Sequence, residues 1–178
     1  MCLPILFGND TLIGGKGNDY LNGGNDNDTY IFNIGDGNDV IEDYQVNTSY
    51  SRKDKIVFGE GVSAENLIVE RNGDDLVLKY GEGDSVTVTE HFKATASNIE
   101  FIEFADGVTW NIDDIIDKAN DIYGTADDDK LYGYSSNSSY DYNELFSAGD
   151  GNDEIYGYSG NDTLIGGTGN DYLNGGNY

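Results

Sequence analysis

Cysteine occurs once in this sequence, at Cys2, so neither an intrachain disulfide nor a thiolate metal cluster can form. Histidine also occurs once, at His91, which leaves no set of ligands for a zinc-type centre. Lys and Arg number nine against 34 Asp and Glu, a formal net charge of -25. Phosphate binding needs clustered Lys and Arg, so nucleic acid is excluded as a partner. No apolar run approaches the length of a membrane span. The opening "MCLPILFGND" has no basic region and only a short apolar stretch, so it reads poorly as a signal peptide. Any export is expected to use information elsewhere.

What the chain does have is glycine, 25 of 178 residues, without the every-third-residue period of collagen. It also has 14 Tyr, 7 Phe and 37% hydrophobic residues, which acidic disordered tracts generally lack. A chain this acidic repels itself and resists compaction unless cations neutralise it.

An internal repeat organises these residues. "GNDTLIGGKGNDYLNGGN" at 8–25 returns as "GNDTLIGGTGNDYLNGGN" at 160–177, and the only change is Lys16 to Thr168. Within each copy a nine-residue period is visible. "GGKGNDYLN" at 14–22 runs directly into "GGNDNDTYI" at 23–31, so Asp10, Asp19 and Asp28 fall nine apart, as do Leu12, Leu21 and Tyr30. "GDGNDVIE" at 35–42 adds Asp39 and Ile41 after a two-residue slip. Near the other end, "AGDGNDEIY", "GYSGNDTLI" and "GGTGNDYLN" carry Asp153, Asp162 and Asp171 with Ile155, Leu164 and Leu173. "GTADDDKLY" at 124–132 is a looser opening unit with Asp129 and Leu131, and the Ser-, Tyr- and Asn-rich stretch 135–147 reads as a loop.

The pattern changes in between. "DKIVF", "NLIVER", "DLVLKY", "SVTVTEHF", "IEFIEF" and "VTW" read as strands, with "RNGD" at 71–74 and "ADGV" at 105–108 as two-residue hairpin turns. "NIDDIIDKA" at 111–119 reads as a short helix capped by Asn111. The expected organisation is a repeat block over 5–42, a small, mainly antiparallel β module over 43–123, and a second repeat block over 124–178. The acids divide evenly, 17 in the module and 17 in the blocks, but seven of the nine bases lie in the module. The repeat blocks therefore hold the uncompensated charge.

Each nonapeptide is built to turn. Glycines at positions one, two and four allow backbone angles closed to other residues and leave carbonyl oxygens uncovered. Aspartate at position six sets a carboxylate at a fixed place, and position eight points an apolar side chain inward from a short strand. Two units make one coil of a flattened helix, so units n and n+2 stack on one edge, bringing Asp10 near the loop of Asp28 and Asp153 near that of Asp171. Stacked carboxylates repel and call for a cation between them. Oxygen-only ligands suit a hard ion, and flexible cages of six or more oxygens favour Ca²⁺ over Mg²⁺. Candidate metal-binding residues are Gly8, Asp10, Gly15, Gly17, Asp19, Gly24, Asp28, Gly37, Asp39, Asp129, Gly149, Gly151, Asp153, Gly160, Asp162, Gly167, Gly169 and Asp171. A metal-free array of Asn/Asp/Gly turns is the plainer alternative. "DDDKLY" lacks the glycine and distal Glu of an EF-hand, and Gly15-Lys16-Gly17 followed by Tyr20 is no dinucleotide loop.

"GGKGNDYLN" and "GGTGNDYLN" match in full the signature G-G-x-G-x-D-x-U-x, and through them the chain resembles the RTX family of haemolysin-type calcium-binding repeats. Other units depart from it: Asp26 stands for the fourth-position glycine, Tyr158 for the second and Ala148 for the first. "GVSAENLIVERNGDDLVL" and "IEFIEFADGVTW" resemble the haemolysin-type calcium-binding-related domain that alternates with such repeats. The resemblance implies an all-β fold, a parallel β-roll flanking the β module, with Ca²⁺ in the turns. It implies a segment of a longer array in a secreted toxin or adhesin of a Gram-negative bacterium, extracellular or at the cell surface. Export would use a type I secretion system acting through regions outside this chain, and the family's C-terminal secretion signal is not expected here. A host-surface ligand, met by the Tyr-rich loop 134–146 or the β module, is the competing expectation. Catalysis is not expected: His91 beside Phe92 reads as packing, Asp74-Asp75 and Asp113-Asp114 as turn and helix-start residues. The self-cleaving relatives cut at Asp-Pro, whereas the one proline, Pro4, follows Leu3.

Overall fold

The structure, a computed structural model, describes residues 7–43, 53–92, 99–133 and 143–176. Cys2, Pro4, Tyr140 and Tyr142, with most of the Tyr-rich loop, lie outside the described residues. The chain divides into two units, Met1–Ala119 and Asn120–Tyr178.

In the first unit the glycine turns reverse the chain after every short strand, so consecutive strands enter opposite sheets. β1 (Thr11–Leu12) pairs in parallel with β3 (Thr29–Phe32), Thr11 against Thr29, one coil of 18 residues apart. β2 (Tyr20–Leu21) pairs likewise with β4 (Asn38–Ile41), but Leu21 lies against Ile41, because the two-residue slip lengthens that coil. The expected β-roll is thus present.

The expected boundary at 42/43 is crossed by both ladders. β5 (Lys55–Phe58) continues β3 in parallel, and β9 (Phe101–Glu103) continues β5. β8 (Asp84–Val88) continues β4. Antiparallel pairing begins only at the far edges, where β8 meets β7 (Asp75–Tyr80), β7 meets β6 (Ile68–Asn72), and β9 meets β10 (Thr109–Asn111). The described residues of 43–119 are therefore part roll and part hairpin, in two five-stranded sheets ordered β1-β3-β5-β9-β10 and β2-β4-β8-β7-β6. Strand-like alternation marks burial of one face and does not distinguish parallel from antiparallel partners, so the sequence could not reveal this.

The core follows from that register. Tyr30, Ile56 and Ile102 lie side by side along one sheet, and Phe32, Phe58 and Phe104 form the next row, all buried. Phe58 packs against Tyr80 of the facing sheet at 4.9 Å between ring centroids, and Phe104 meets Trp110 edge-on at 5.0 Å. Each such side chain, fully buried, contributes about 1.5–3 kcal/mol. The helix α1 (Ile112–Ala119) closes the unit with Ile115 and Ala119 buried. Asn111 caps it as expected, its Oδ1 accepting from the amides of Asp113 and Asp114 at 2.8 and 3.1 Å.

Both hairpin turns differ in detail from expectation. Asn72 pairs with Asp75, so Gly73 and Asp74 form the loop, with glycine in the first central place at φ 64°. At 105–108 the Phe104 amide donates to the Val108 carbonyl at 2.9 Å, which makes a three-residue loop ending on Gly107 in the left-handed region. His91 is buried beside Phe92, and its Nδ1 accepts from the Ile99 amide at 3.2 Å. Burial, helped by the charge of Arg71, pushes its pKa down to about 3.

The second unit repeats the roll in smaller form. β11 (Asp121–Tyr123), β13 (Leu145–Asp150) and β15 (Thr163–Thr168) make one parallel sheet. β12 (Lys130–Tyr132), β14 (Glu154–Tyr156) and β16 (Tyr172–Asn174) make the other. Phe146, Ala148 and Ile155 are its buried core. The expected loop 135–147 ends earlier than its composition suggested: Leu145–Ser147 pair in register with Thr163–Ile165. Among the described residues no helix is long and apolar enough to cross a membrane.

Candidate metal centre

The sixth-position aspartates stack along the edges of both rolls. The Asp10 amide donates to Asp28 Oδ1 at 2.8 Å, and the Asp28 amide to Asp54 Oδ1 at 2.7 Å. On the other edge the Asp19 amide donates to Asp39 Oδ1 at 2.9 Å. In the second unit the Asp129 amide donates to Asp153 Oδ1 at 2.9 Å, and the Asp153 amide to Asp171 Oδ1 at 3.1 Å. One oxygen of each accepting carboxylate is thus spent on the backbone of the preceding coil. The fifth-position Asn completes a reciprocal clamp in the other direction. Asn27 N donates to Asn9 Oδ1 at 3.0 Å, Asn38 N to Asn18 Oδ1 at 3.0 Å and Asn170 N to Asn152 Oδ1 at 3.0 Å. This role of Asn was missed in the sequence, although the recurring Asn-Asp pair was its signal; in the unit 124–132 Asp128 takes the place of Asn and accepts from the Asn152 amide at 2.7 Å.

The second oxygen is the chemically open one. Oδ2 of Asp19, Asp28, Asp39, Asp153 and Asp162 is buried and has no hydrogen-bond partner. A buried, unpaired carboxylate oxygen is costly unless a cation meets it. Burial pushes the carboxyls of Asp28 and Asp39 up, the amides of Asp10 and Asp19 pull them back, and neighbouring acids push them up again. The Lys ion pairs among the described residues do not relieve them: Lys55 goes to Glu103, Lys79 to Glu70 and Lys130 to Glu154. First-position glycine keeps the space beside Oδ2 clear. A Cβ on Gly23, Gly157 or Gly166 would overlap the carboxylate of Asp28, Asp162 or Asp171.

The expected glycines sit in the turns between these carboxylates. Gly8, Gly15, Gly17, Gly24, Gly37, Gly149, Gly151, Gly160, Gly167 and Gly169 all have φ between 79° and 139°. The left-handed region is needed even where glycine is replaced: Asp26 and Tyr158 adopt φ 80° and 69°. Asp26 helps hold its coil through a bond from the Gly8 amide to its Oδ2 at 3.0 Å. The turn backbones approach closely, since a Cβ on Gly167 or Gly169 would run into the carbonyl of Gly149 or Gly151. Carboxylate and carbonyl oxygens without nitrogen or sulfur are a donor set that fits Ca²⁺.

Acidic residues absent from the expected set also occupy the ladders. Asp54 follows Asp28, and the Asp54 amide donates to Glu100 Oε2 at 2.8 Å. Glu144 takes the same place before Asp162, donating to its Oδ1 at 3.1 Å. Their only sequence signal is an acid two residues before an inward apolar side chain, without the glycines. Asp43 lies outside the ladder register and is buried, with neither carboxylate oxygen hydrogen-bonded. Burial first, then the charges of Asp54 and Asp28, push its carboxyl up to about 8, against the Tyr30 hydroxyl and the Gly24 amide, donors that face the carboxylate without completing a well-formed hydrogen bond and hold it lower.

Comparison with known proteins agrees with this geometry. The family described as RTX calcium-binding nonapeptide repeat (4 copies) matches residues 6–41, 114–137 and 139–177, together more than half of the chain. The haemolysin-type calcium binding protein related domain matches residues 75–114. The iron-regulated protein FrpA of Neisseria meningitidis serogroup C is 37% identical over 115 residues, 62% of this chain and 10% of that protein. The chain therefore spans about a tenth of the length of that relative. Among solved structures, the extracellular lipase LipA of Serratia marcescens is similar at 23% identity and a TM-score of 0.37, over 94% of this chain and 26% of that one. The chain belongs to the RTX calcium-binding nonapeptide repeat family, and its Gly-Asn-Asp units are calcium-binding repeats.

Proposed function

We propose that this segment is a calcium-dependent folding and display module of a longer secreted toxin or adhesin, without catalytic activity of its own. The observation that carries the reading is the row of buried Oδ2 atoms without partners, on rolls whose acidic charge has almost no basic compensation. At low cytosolic Ca²⁺ those carboxylates oppose collapse, so the chain stays expanded and suited to a type I secretion channel reached through other regions. Outside a Gram-negative cell, millimolar Ca²⁺ fills the turns, and metal binding and folding become one equilibrium. Extracellular calcium modules commonly have dissociation constants on the order of 10⁻⁴–10⁻³ M. The test is far-UV circular dichroism during a Ca²⁺ titration with Mg²⁺ as control. A coil-to-β transition between roughly 0.1 and 10 mM Ca²⁺, absent with Mg²⁺, is expected. An unchanged β signal in chelator and in Ca²⁺ would overturn the switch.

A second reading, a surface that binds a host ligand, is favoured by one feature. Tyr132 and Tyr156 stack at 5.3 Å with rings 10° apart, Tyr158 and Tyr172 continue the row, and Tyr132, Tyr158 and Tyr172 are exposed. Binding to host-cell surfaces that persists in a Tyr132/Tyr172 alanine variant would remove that reading.

A further inference from the structure

Strand register shows what Asp43 replaces. Leu21 of β2 lies beside Ile41 of β4, so the residue two beyond Leu21, Gly23, corresponds to the residue two beyond Ile41, Asp43. Gly23 is the first-position glycine whose Cβ would collide with the carboxylate of Asp28. At the equivalent point of the next coil the chain carries a third carboxylate where regular coils carry a hydrogen atom. The following ladder acid comes five residues after Gly23, at Asp28, but eleven after Asp43, at Asp54. This coil is therefore built differently, at the place where the nonapeptides give way to the β5–β9 ladder.

The result is a cluster without parallel among the described residues. One carboxylate oxygen from each of Asp28, Asp43 and Asp54 lies within 4.8 Å of the other two. All three residues are at most 1% exposed. Asp28 Oδ2 and both oxygens of Asp43 have no hydrogen-bond partner. Asp28 and Asp54 each spend Oδ1 on the ladder, accepting from the amides of Asp10 and Asp28, whereas Asp43 faces the Tyr30 hydroxyl and the Gly24 amide. Bulk water does not reach the cluster. Three carboxyl groups in one dry site ionise together only when a multivalent cation joins them, and oxygen donors of this kind suit Ca²⁺.

We propose that Asp28, Asp43 and Asp54 form a three-carboxylate Ca²⁺ site at the junction of the nonapeptide array and the β5–β9 ladder, with Asp43 as a ligand outside the nonapeptide register. The inference rests on the calcium reading above and adds a residue which that reading does not need. A site with three carboxylates holds its ion more tightly than ladder sites with fewer, so it fills first as Ca²⁺ rises.

The test counts Ca²⁺ ions by native mass spectrometry of the full 178-residue chain, alongside thermal unfolding at two Ca²⁺ concentrations at which wild type is folded, one just above its folding transition and one saturating. Asp43→Asn is expected to bind one ion fewer than wild type and to lose the tightest step of the titration. Its melting temperature is expected to rise less than that of wild type between the two concentrations, because it lacks the ion that wild type holds. Asp43→Gly, which restores the residue of regular coils, gives the same ion loss by a different side chain. Asp162→Asn in the second unit removes a different ion, so its combination with Asp43→Asn loses two. An unchanged ion count in both Asp43 variants overturns the site, as does a melting temperature lowered equally at both Ca²⁺ concentrations, which marks a purely structural carboxyl. If wild type itself binds no Ca²⁺, the calcium reading fails first and this site with it.

Discussion

The amide of Asp129 donates to Oδ1 of Asp153, 24 residues further on, at 2.9 Å, while the Oδ2 of Asp153 stays buried with no partner. One carboxylate thus does two jobs: Oδ1 ties coil to coil and Oδ2 waits for an ion. Asp153→Asn separates them, because the amide oxygen still accepts from the Asp129 amide while the charge disappears. Ca²⁺ affinity in the second unit should fall by about 10–100-fold, equivalent to about 1–3 kcal/mol. Isothermal titration would show it.

Gly166 and Gly175 occupy the same first position of successive units, yet only Gly166 faces an aspartate. A Cβ there would overlap the Asp171 carboxylate, whereas a Cβ on Gly175 meets nothing within 4 Å. Gly166→Ala should cost about 1–3 kcal/mol of Ca²⁺-bound stability, and Gly175→Ala close to none. Thermal melts of both variants in saturating Ca²⁺ are the check; equal losses would mean that space beside Oδ2 is not what the glycine protects.

Phe58 tests the part of the fold that owes nothing to the ion. It is buried between Phe32, Tyr80 and Phe104, at centroid distances of 6.3, 4.9 and 6.0 Å. Phe58→Ala should destabilise the first unit by about 3–5 kcal/mol at any Ca²⁺ concentration at which that unit is folded. Urea unfolding at two Ca²⁺ concentrations would reveal a loss that does not scale with the metal.

His91 gives an acid limb to the first unit. Its folded pKa, about 3, lies below the ordinary value of 6.5, so the folded state holds fewer protons than the unfolded state between these values. Stability from neutral His91 is present above pH 6.5 and is lost as pH falls towards 3, at roughly 1.4 kcal/mol per pH unit. His91→Gln keeps an acceptor for the Ile99 amide and removes the titration. The difference between wild-type and variant unfolding free energies should therefore slope across that window and be flat above it. A flat difference throughout would place His91 in contact with water.

Much of the site was legible because it is local. A nonapeptide writes its turn glycines, its carboxylate and its inward apolar residue within nine positions, so period alone placed Asp10 over Asp28 and Asp153 over Asp171. Asp54, Glu100 and Glu144 join the same ladders without glycines around them, and a short acid-x-apolar triplet is too common in strands to stand out.

By itself, the sequence determined the chemistry of the repeats: oxygen ligands alone, positive-φ turns, an uncompensated acidic charge, and strands too short to fold except by stacking. Only the tertiary structure decided where the stack stops and which acids share a space. The parallel ladders run through 43–119 because pairing partners are chosen by proximity in the coil, and either kind of partner satisfies the same alternation of buried and exposed side chains. Asp43, eleven residues before Asp54 in the chain, reaches the carboxylates of Asp28 and Asp54 because β4 aligns with β2 in parallel register, and no spacing rule in the sequence encodes that alignment.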